Sequence, residues 1–160
     1  MQLSSLGFKA VAKQIATLGP LGYAPAPGTV GSAVTLLLVY SSHRFMPELF
    51  FYTLFIIAIS GIAFYVIAAA RTEFSTPDPK QIILDEVIGC LFCFYGLNID
   101  WYVLLWGFLL FRFFDITKCL GIGYLEKLPG AWGVLADDIA CGLITNGLLR
   151  CIALLGMLKA

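Results

Sequence analysis

Acidic residues are scarce in this chain, and several of them come in adjacent pairs. Asp85-Glu86 interrupts the apolar run Gln81-Ile-Ile-Leu-Asp-Glu-Val-Ile-Gly89, and Asp137-Asp138 follows Gly133-Val134-Leu135-Ala136. A single acid near a helix start is explained by capping and by the helix dipole. Two side by side repel, and inside a membrane segment each costs a few kcal/mol, roughly 2.5–3.5 at mid-depth and less near the interface. A cation between them would relieve the repulsion. Mg²⁺ suits hard oxygen ligands, and no Cys/His set suits zinc. A third group, Arg112-Phe-Phe-Asp115-Ile-Thr-Lys118, spaces three charges at i, i+3 and i+6, on one helical face. It reads either as a salt-bridged helix end or as a carboxylate flanked by two phosphate-binding cations, with Arg offering two-pronged contact and Lys a point charge. A fourth, Gly28-Thr29-Val30-Gly31-Ser32, opens an apolar segment after a Pro-rich turn. Free N–H groups there would meet an anion, although a turn and a tight helix contact explain the pattern equally simply.

The elements that must position these groups follow from composition. The chain has 160 residues, 60% hydrophobic and 12% charged, with ten basic and ten acidic side chains. That is enough for one domain, 1–160. A small soluble body could not hide so much apolar surface, so the excess faces lipid. Zero formal net charge excludes a basic nucleic-acid surface and an acidic disordered tail. The expected fold is all-α: a polytopic helical membrane bundle with four or five transmembrane helices and an N-terminal amphipathic helix. The amphipathic helix covers residues 4–18, capped by Ser4 or Ser5 and stopped by Gly19-Pro20. Lys9 and Lys13 fall where a signal peptide would be uninterrupted. Expected spans are Gly28–Phe45 (a partly re-entrant helix is the alternative), Leu49–Ala70 after Pro47, Ile82–Leu97, Trp101–Phe114 and Ile139–Leu158. Residues 71–80, with Pro77 and Pro79, and residues 115–137 are polar loops, and Asn98-Ile99-Asp100 is a tight turn.

With the N-terminus in the cytoplasm, Lys9, Lys13, Arg71, Lys80, Arg112, Lys118 and Lys127 lie at cytoplasmic ends, against Arg44 and Lys159 outside. Glu73, Asp78, Asp85, Glu86, Asp115, Asp137 and Asp138 then fall on the same cytoplasmic side as the Gly28–Ser32 turn. Other residues read plainly. His43 beside Arg44 is an interfacial polar residue; Trp101 and Tyr102 are interfacial aromatics; Trp132 is an anchor or a lid. Cys90 and Cys93 have CxxC spacing, but apolar neighbours make them small hydrophobes, like most of the five cysteines. No Cys is followed six positions later by Arg, no Asp-x-Asp-x-Thr/Val motif occurs, and one histidine is too few for a His-based lipid phosphatase. Carboxylate-bound metal activating water remains.

Four blocks taken together, Ala24–Ser32, Asp78–Gly89, Phe111–Lys118 and Gly133–Gly142, resemble the phosphatidylglycerophosphatase A family in kind and order. The resemblance implies an all-helical bacterial inner-membrane enzyme that removes the terminal phosphate of phosphatidylglycerophosphate with Mg²⁺. In this chain Lys118-Cys119-Leu120-Gly121-Ile122 replaces a Lys-Pro-x-Pro-Ile pattern, and Gly130-Ala131 replaces a Gly-Gly pair.

On this reading some of Asp85, Glu86, Asp115, Asp137 and Asp138 hold Mg²⁺. Another carboxylate, drawn from Asp85, Glu86, Asp115 and Asp138, acts on the attacking water. Arg112 and Lys118 neutralise phosphate oxygens, and Gly28, Thr29, Gly31 and Ser32 position the headgroup. Residue types alone do not separate ligand from base, nor a monomer from a homo-oligomer. The rival from another class is an ion or proton-coupled transporter. It would place its acids at mid-depth near broken helices, whereas here they gather at one face. A third reading is a non-catalytic assembly subunit whose charges pair with each other.

Overall fold

The computed structural model describes residues 2–45, 48–76 and 79–156. Pro47, Pro77, Asp78, Lys159 and the Leu158 end of the last expected span lie outside the described residues, as do the side chains of Ser4, Ser5, His43 and Arg44. Among the described residues all regular structure is helical: α1 Gln2–Ala16, α2 Pro27–Phe45, α3 Leu49–Ala70, α4 Leu84–Cys93, α5 Trp101–Thr117 and α6 Ala131–Leu154, with short 3-10 turns at Gly19–Tyr23, Arg71–Glu73 and Ile122–Lys127. The expectation of an all-α chain holds.

Helix α3 carries no charge across 22 residues. It buries Ile56, Ala63, Ile67 and Ala70 while exposing Ile57, Ile62 and Tyr65, so it is apolar on both faces. Together with the turn that follows, it is the one described helix long and apolar enough to cross a membrane by length and composition. Helix α2 is unbroken over 19 residues, about 28 Å. It starts at Pro27, whose fixed φ suits a first helical position.

Three boundaries differ from expectation. Helix α1 already runs from Gln2, so neither Ser4 nor Ser5 stands at its N-cap; Gly19-Pro20 does end it, in a 3-10 turn. The stretch Ile82–Leu97 does not form one long helix. Helix α4 has 10 residues, about 15 Å, half of a hydrocarbon core. Ile82 and Ile83 precede it, and the Ile83 N–H donates to the Ala16 carbonyl at 2.9 Å. Beyond it the chain unwinds because α6 supplies the donors. Asn146 Nδ2 donates to the Cys93 and Tyr95 carbonyls at 2.9 Å each, and Arg150 donates to Tyr95 and Gly96. Buried carbonyls satisfied this way do not need a further helical turn.

The third difference bears on the acids. The segment 115–137 is not one loop. Helix α5, capped at its start by Asp100 Oδ1 accepting from the Val103 N–H at 2.8 Å, continues to Thr117, and α6 starts at Ala131 behind Gly130 at φ 72°. Asp115 is therefore helical, and Asp137 and Asp138 lie nearly two turns inside α6. Neither can cap it. Between the helices, Lys118, Leu120 and Gly121 take left-handed conformations that wind the chain into a turn over buried Ile122.

Helices α4 and α6 cross almost backbone to backbone. A Cβ at Gly89 would meet the Asp138 carbonyl, and one at Gly142 would meet the Gly89 carbonyl. This contact, in which only Gly fits, sets Asp138 against the first turns of α4, where Asp85 and Glu86 lie.

Candidate active site

The start of α2, the first turn of α4, the end of α5 and the second turn of α6 enclose a cavity of about 920 Å³. Asp85, Glu86, Arg112, Asp115, Lys118, Asp137 and Asp138 all line it. Three sequence blocks thus deliver every acid and both cations expected at the site to one space, and the start of α2 adds Gly28.

Two groupings divide it. On one side Asp115 stands between the cations: its Oδ2 accepts from Arg112 Nη1 at 2.5 Å and its Oδ1 from Lys118 Nζ at 2.8 Å. The same ammonium reaches Asp137 Oδ2 at 2.5 Å and lies 3.6 Å from Glu126 and 3.9 Å from Asp138 Oδ1. Burial alone would lower the Lys118 pKa, but the surrounding carboxylates of Asp138, Asp115 and Asp137 outweigh it and hold the pKa above the usual lysine range. Lys118 is therefore a permanent positive charge at neutral pH. Arg112 uses Nη1 on Asp115, while its buried Nε has no acceptor among the described residues.

On the other side Asp85, Glu86 and Asp138 can each offer a carboxylate oxygen, all within 4.8 Å of one another. Among the described residues, Glu86 Oε2 and Asp138 Oδ1 are buried without a hydrogen-bond partner, as is Asp137 Oδ1 nearby. An orphaned buried carboxylate oxygen is strongly unfavourable, and three converging acids, two of them with an orphaned oxygen while Asp85 Oδ1 accepts the Glu86 N–H at 3.1 Å, fit a hard divalent cation. A second grouping, Asp115, Asp138 and Cys141, fits Mg²⁺ less well. Both Asp115 oxygens already accept from cations, and a thiol is a soft donor.

The Gly28–Ser32 turn divides. Gly28 lines the cavity, and a Cβ there would strike the Glu86 carboxyl and lie 3.0 Å from Arg112 Nη1; its lack of a side chain lets acid and cation approach. Thr29 and Val30 already donate their N–H groups to the Ala26 carbonyl at 3.0 and 3.2 Å. Gly31 packs on Ile83, and buried Ser32 donates to the Gly28 carbonyl at 2.8 Å. Gly31 and Ser32 face Ile83 and Cys90 across the α2–α4 contact, and neither they nor Thr29 line the cavity.

Three features escaped the sequence reading. Cys141 follows Asp138 by three positions on α6, which was signal enough to place it near the acids. Asn146 and Arg150 shape the end of α4 from α6. Arg71, Lys80 and Lys127 also line the cavity, although their charges served only to orient the chain. Cys90 and Cys93 are buried in α4, their thiols directed at the Ser32 and Gly89 carbonyls. Trp132 is 59% exposed and leans on Phe64 with ring centroids 4.5 Å apart.

The family model for phosphatidylglycerophosphatase A matches residues 14–153, which hold every cavity-lining residue named above. The chain belongs to that family. It is accordingly a phosphatase. It is 31% identical over 122 residues to a Haemophilus influenzae phosphatidylglycerophosphatase A, covering 74% of each chain. It is 30% identical over 125 residues to the Escherichia coli phosphatidylglycerophosphatase A, covering 77% of this chain and 72% of the relative. A Bacteroides thetaiotaomicron protein provisionally named a phosphatidylinositol-3-phosphatase is 29% identical over 129 residues, 76% of this chain and 80% of that one. No solved structure matches the chain at comparable significance.

Proposed function

We propose that this chain hydrolyses the terminal phosphomonoester of phosphatidylglycerophosphate to phosphatidylglycerol and inorganic phosphate, with Mg²⁺, at the cytoplasmic face of a bacterial inner membrane. The observation that carries the reading is the pairing, inside one cavity, of the converging acids Asp85, Glu86 and Asp138 with an Arg and a Lys, Glu86, Asp138 and neighbouring Asp137 each keeping an unsatisfied oxygen. Asp85, Glu86 and Asp138 would hold the ion. When bound, Mg²⁺ supplies Lewis-acid polarisation of a phosphoryl oxygen and a lowered pKa for a coordinated water. The protein's own groups do the rest. Arg112 and Lys118, presented by Asp115, take the charge of the phosphate oxygens as it shifts in the transition state. Asp137 keeps one oxygen without a donor, which suits it to accept the proton of the attacking water. Gly28 leaves room for both sets to meet over the phosphate.

The membrane placement rests on α2, α3, α5 and α6 as four spans, with α4 as a half-length interior helix. All four show large apolar side chains at their surfaces, among them Leu37, Phe50, Leu105 and Leu143. Arg71, Lys80, Arg112, Lys118 and Lys127, five of the seven residues that the positive-inside rule puts in the cytoplasm, line the same cavity. That grouping supports a cytoplasmic mouth. It also favours interfacial chemistry over transport, since an ion path would string its acids through the membrane depth.

Both lipids named for the relatives carry a phosphomonoester on a polyol that a phosphodiester joins to diacylglycerol. The floor of the cavity answers the monoester. The test is phosphate release by the purified protein in detergent from phosphatidylglycerophosphate and, in parallel, from phosphatidylinositol 3-phosphate. We expect faster turnover of the first. Release from the second alone would reassign the substrate.

A further inference from the structure

A phosphate ion fills only a small part of this cavity, whose 920 Å³ lies near the upper end of the usual ligand-site range of about 300–1,000 Å³. What lines the remainder is basic and apolar. Lys80, Lys127 and Arg71 come from three separate segments. The acid among them, Glu126, is drawn toward Lys118 at 3.6 Å. Ile82, Ile116, Leu128 and Val134 supply the apolar wall.

Two of the cations stand on fixed backbone. Lys80 lies in a turn closed by the Ile82 N–H donating to the Pro79 carbonyl at 2.9 Å. The next residue, Ile83, is tied to the end of α1. Lys127 ends a 3-10 turn and holds its ammonium 4.8 Å above the Tyr124 ring, which limits its sweep. Arg71 stands at the end of α3 beside Gly130. Lys80 and Lys127 are exposed, whereas the Arg112 and Lys118 side chains are largely buried, so two lysines stand on the solvent side of the cavity and two cations deeper in it, a two-storey electrostatic arrangement. One isolated phosphate would use only the lower storey.

We propose that Lys80 and Lys127 form a second anion subsite at the cavity mouth, one that takes the phosphodiester of the lipid headgroup while Arg112 and Lys118 take its terminal monoester. The inference rests on the reaction assigned above and adds a specificity rule: the site selects lipids in which a polyol separates a phosphomonoester from a second phosphate. A monoester lacking that second charge binds without the upper storey.

The double substitution Lys80→Gln with Lys127→Gln removes two exposed charges outside the packed core. Losing charge-assisted contacts to the phosphodiester should raise KM for phosphatidylglycerophosphate about tenfold or more, with kcat nearly unchanged. Inhibition by glycerophosphoglycerol, which carries the diester and no monoester, should weaken in step. Inhibition by inorganic phosphate, a floor ligand, should not. Lys80→Arg with Lys127→Arg should restore most of the lost affinity. An unchanged KM, or equal weakening of inorganic phosphate and glycerophosphoglycerol, would overturn the subsite. If the wild-type protein releases no phosphate from phosphatidylglycerophosphate, the assigned reaction fails. The subsite is then judged by calorimetric binding of glycerophosphoglycerol: loss of binding in the Gln variant upholds it, and equal binding by wild type and variant refutes it.

Discussion

Asp138→Asn separates chemistry from architecture more cleanly than the sequence alone would suggest. Asp138 is 3% exposed and lies well inside α6, with its backbone against Gly89 of α4. Asn has the same shape, so the helix crossing survives. There is no cap to lose, because Gly130 stands at the start of α6. Replacing one of three converging acids also lessens their mutual repulsion in the metal-free protein, so its stability should hold or rise. The effect appears when Mg²⁺ is added. For wild type at a hundredfold excess of ion over Kd, binding adds about 2.7 kcal/mol; a site weakened tenfold retains about 1.4 kcal/mol at the same concentration. Turnover should fall roughly 10²-fold or more, the lower end of proton-transfer and charge-stabilising effects. The assay is kcat on phosphatidylglycerophosphate in detergent beside melting curves with Mg²⁺ and with chelator. A variant that keeps its turnover and its full Mg²⁺-dependent stabilisation would refute the assignment of Asp138 to the ion. A variant that melts early without metal would refute the claim that the residue is architecturally neutral.

Arg112→Lys keeps the charge but loses the planar fork, of which Nη1 holds Asp115 and Nε faces no acceptor; kcat should fall about tenfold or more with little change in melting temperature, and a normal kcat would remove Arg112 from phosphate contact. Gly142→Ala forces a Cβ into the Gly89 carbonyl, and denaturant or thermal unfolding should show a loss of about 1–3 kcal/mol or more, whereas an unchanged midpoint would mean that α4 and α6 are less closely packed. Cysteine placed at exposed Pro129 should react with an impermeant maleimide only in inverted vesicles, and labelling of intact spheroplasts would reverse the topology.

The constellation was legible because its members are chemically conspicuous. Adjacent acids in apolar surroundings have few bland explanations, and i, i+3, i+6 spacing brought Arg112, Asp115 and Lys118 together, although Lys118 sits in the left-handed cap just past α5. Helix boundaries were less legible where distant groups decide them. Nothing near Leu91–Leu97 shows that α4 stops at Cys93, because Asn146 and Arg150, some fifty residues later, satisfy the freed carbonyls. The early start of α6 depends on Gly130 adopting a positive φ and on Gly133 fitting against the Glu126 and Leu128 carbonyls, which residue types only permit. The same gap left the Gly28–Ser32 turn open to two readings. Small residues fit close helix packing as well as they fit an anion, and only the burial of Ser32 and the contact of Gly31 with Ile83 tell the two apart. Lys80 and Lys127 passed unremarked as site residues because isolated surface lysines carry no pattern until a cavity joins them.

We propose that the paired acids hold Mg²⁺ to hydrolyse a lipid phosphomonoester. The most direct test is phosphate release from phosphatidylglycerophosphate by the purified protein, measured first in excess chelator and then as Mg²⁺ is restored. Release should be absent in chelator and recover fully with the ion, and be lost again in Asp138→Asn. Undiminished release in chelator would contradict this assignment.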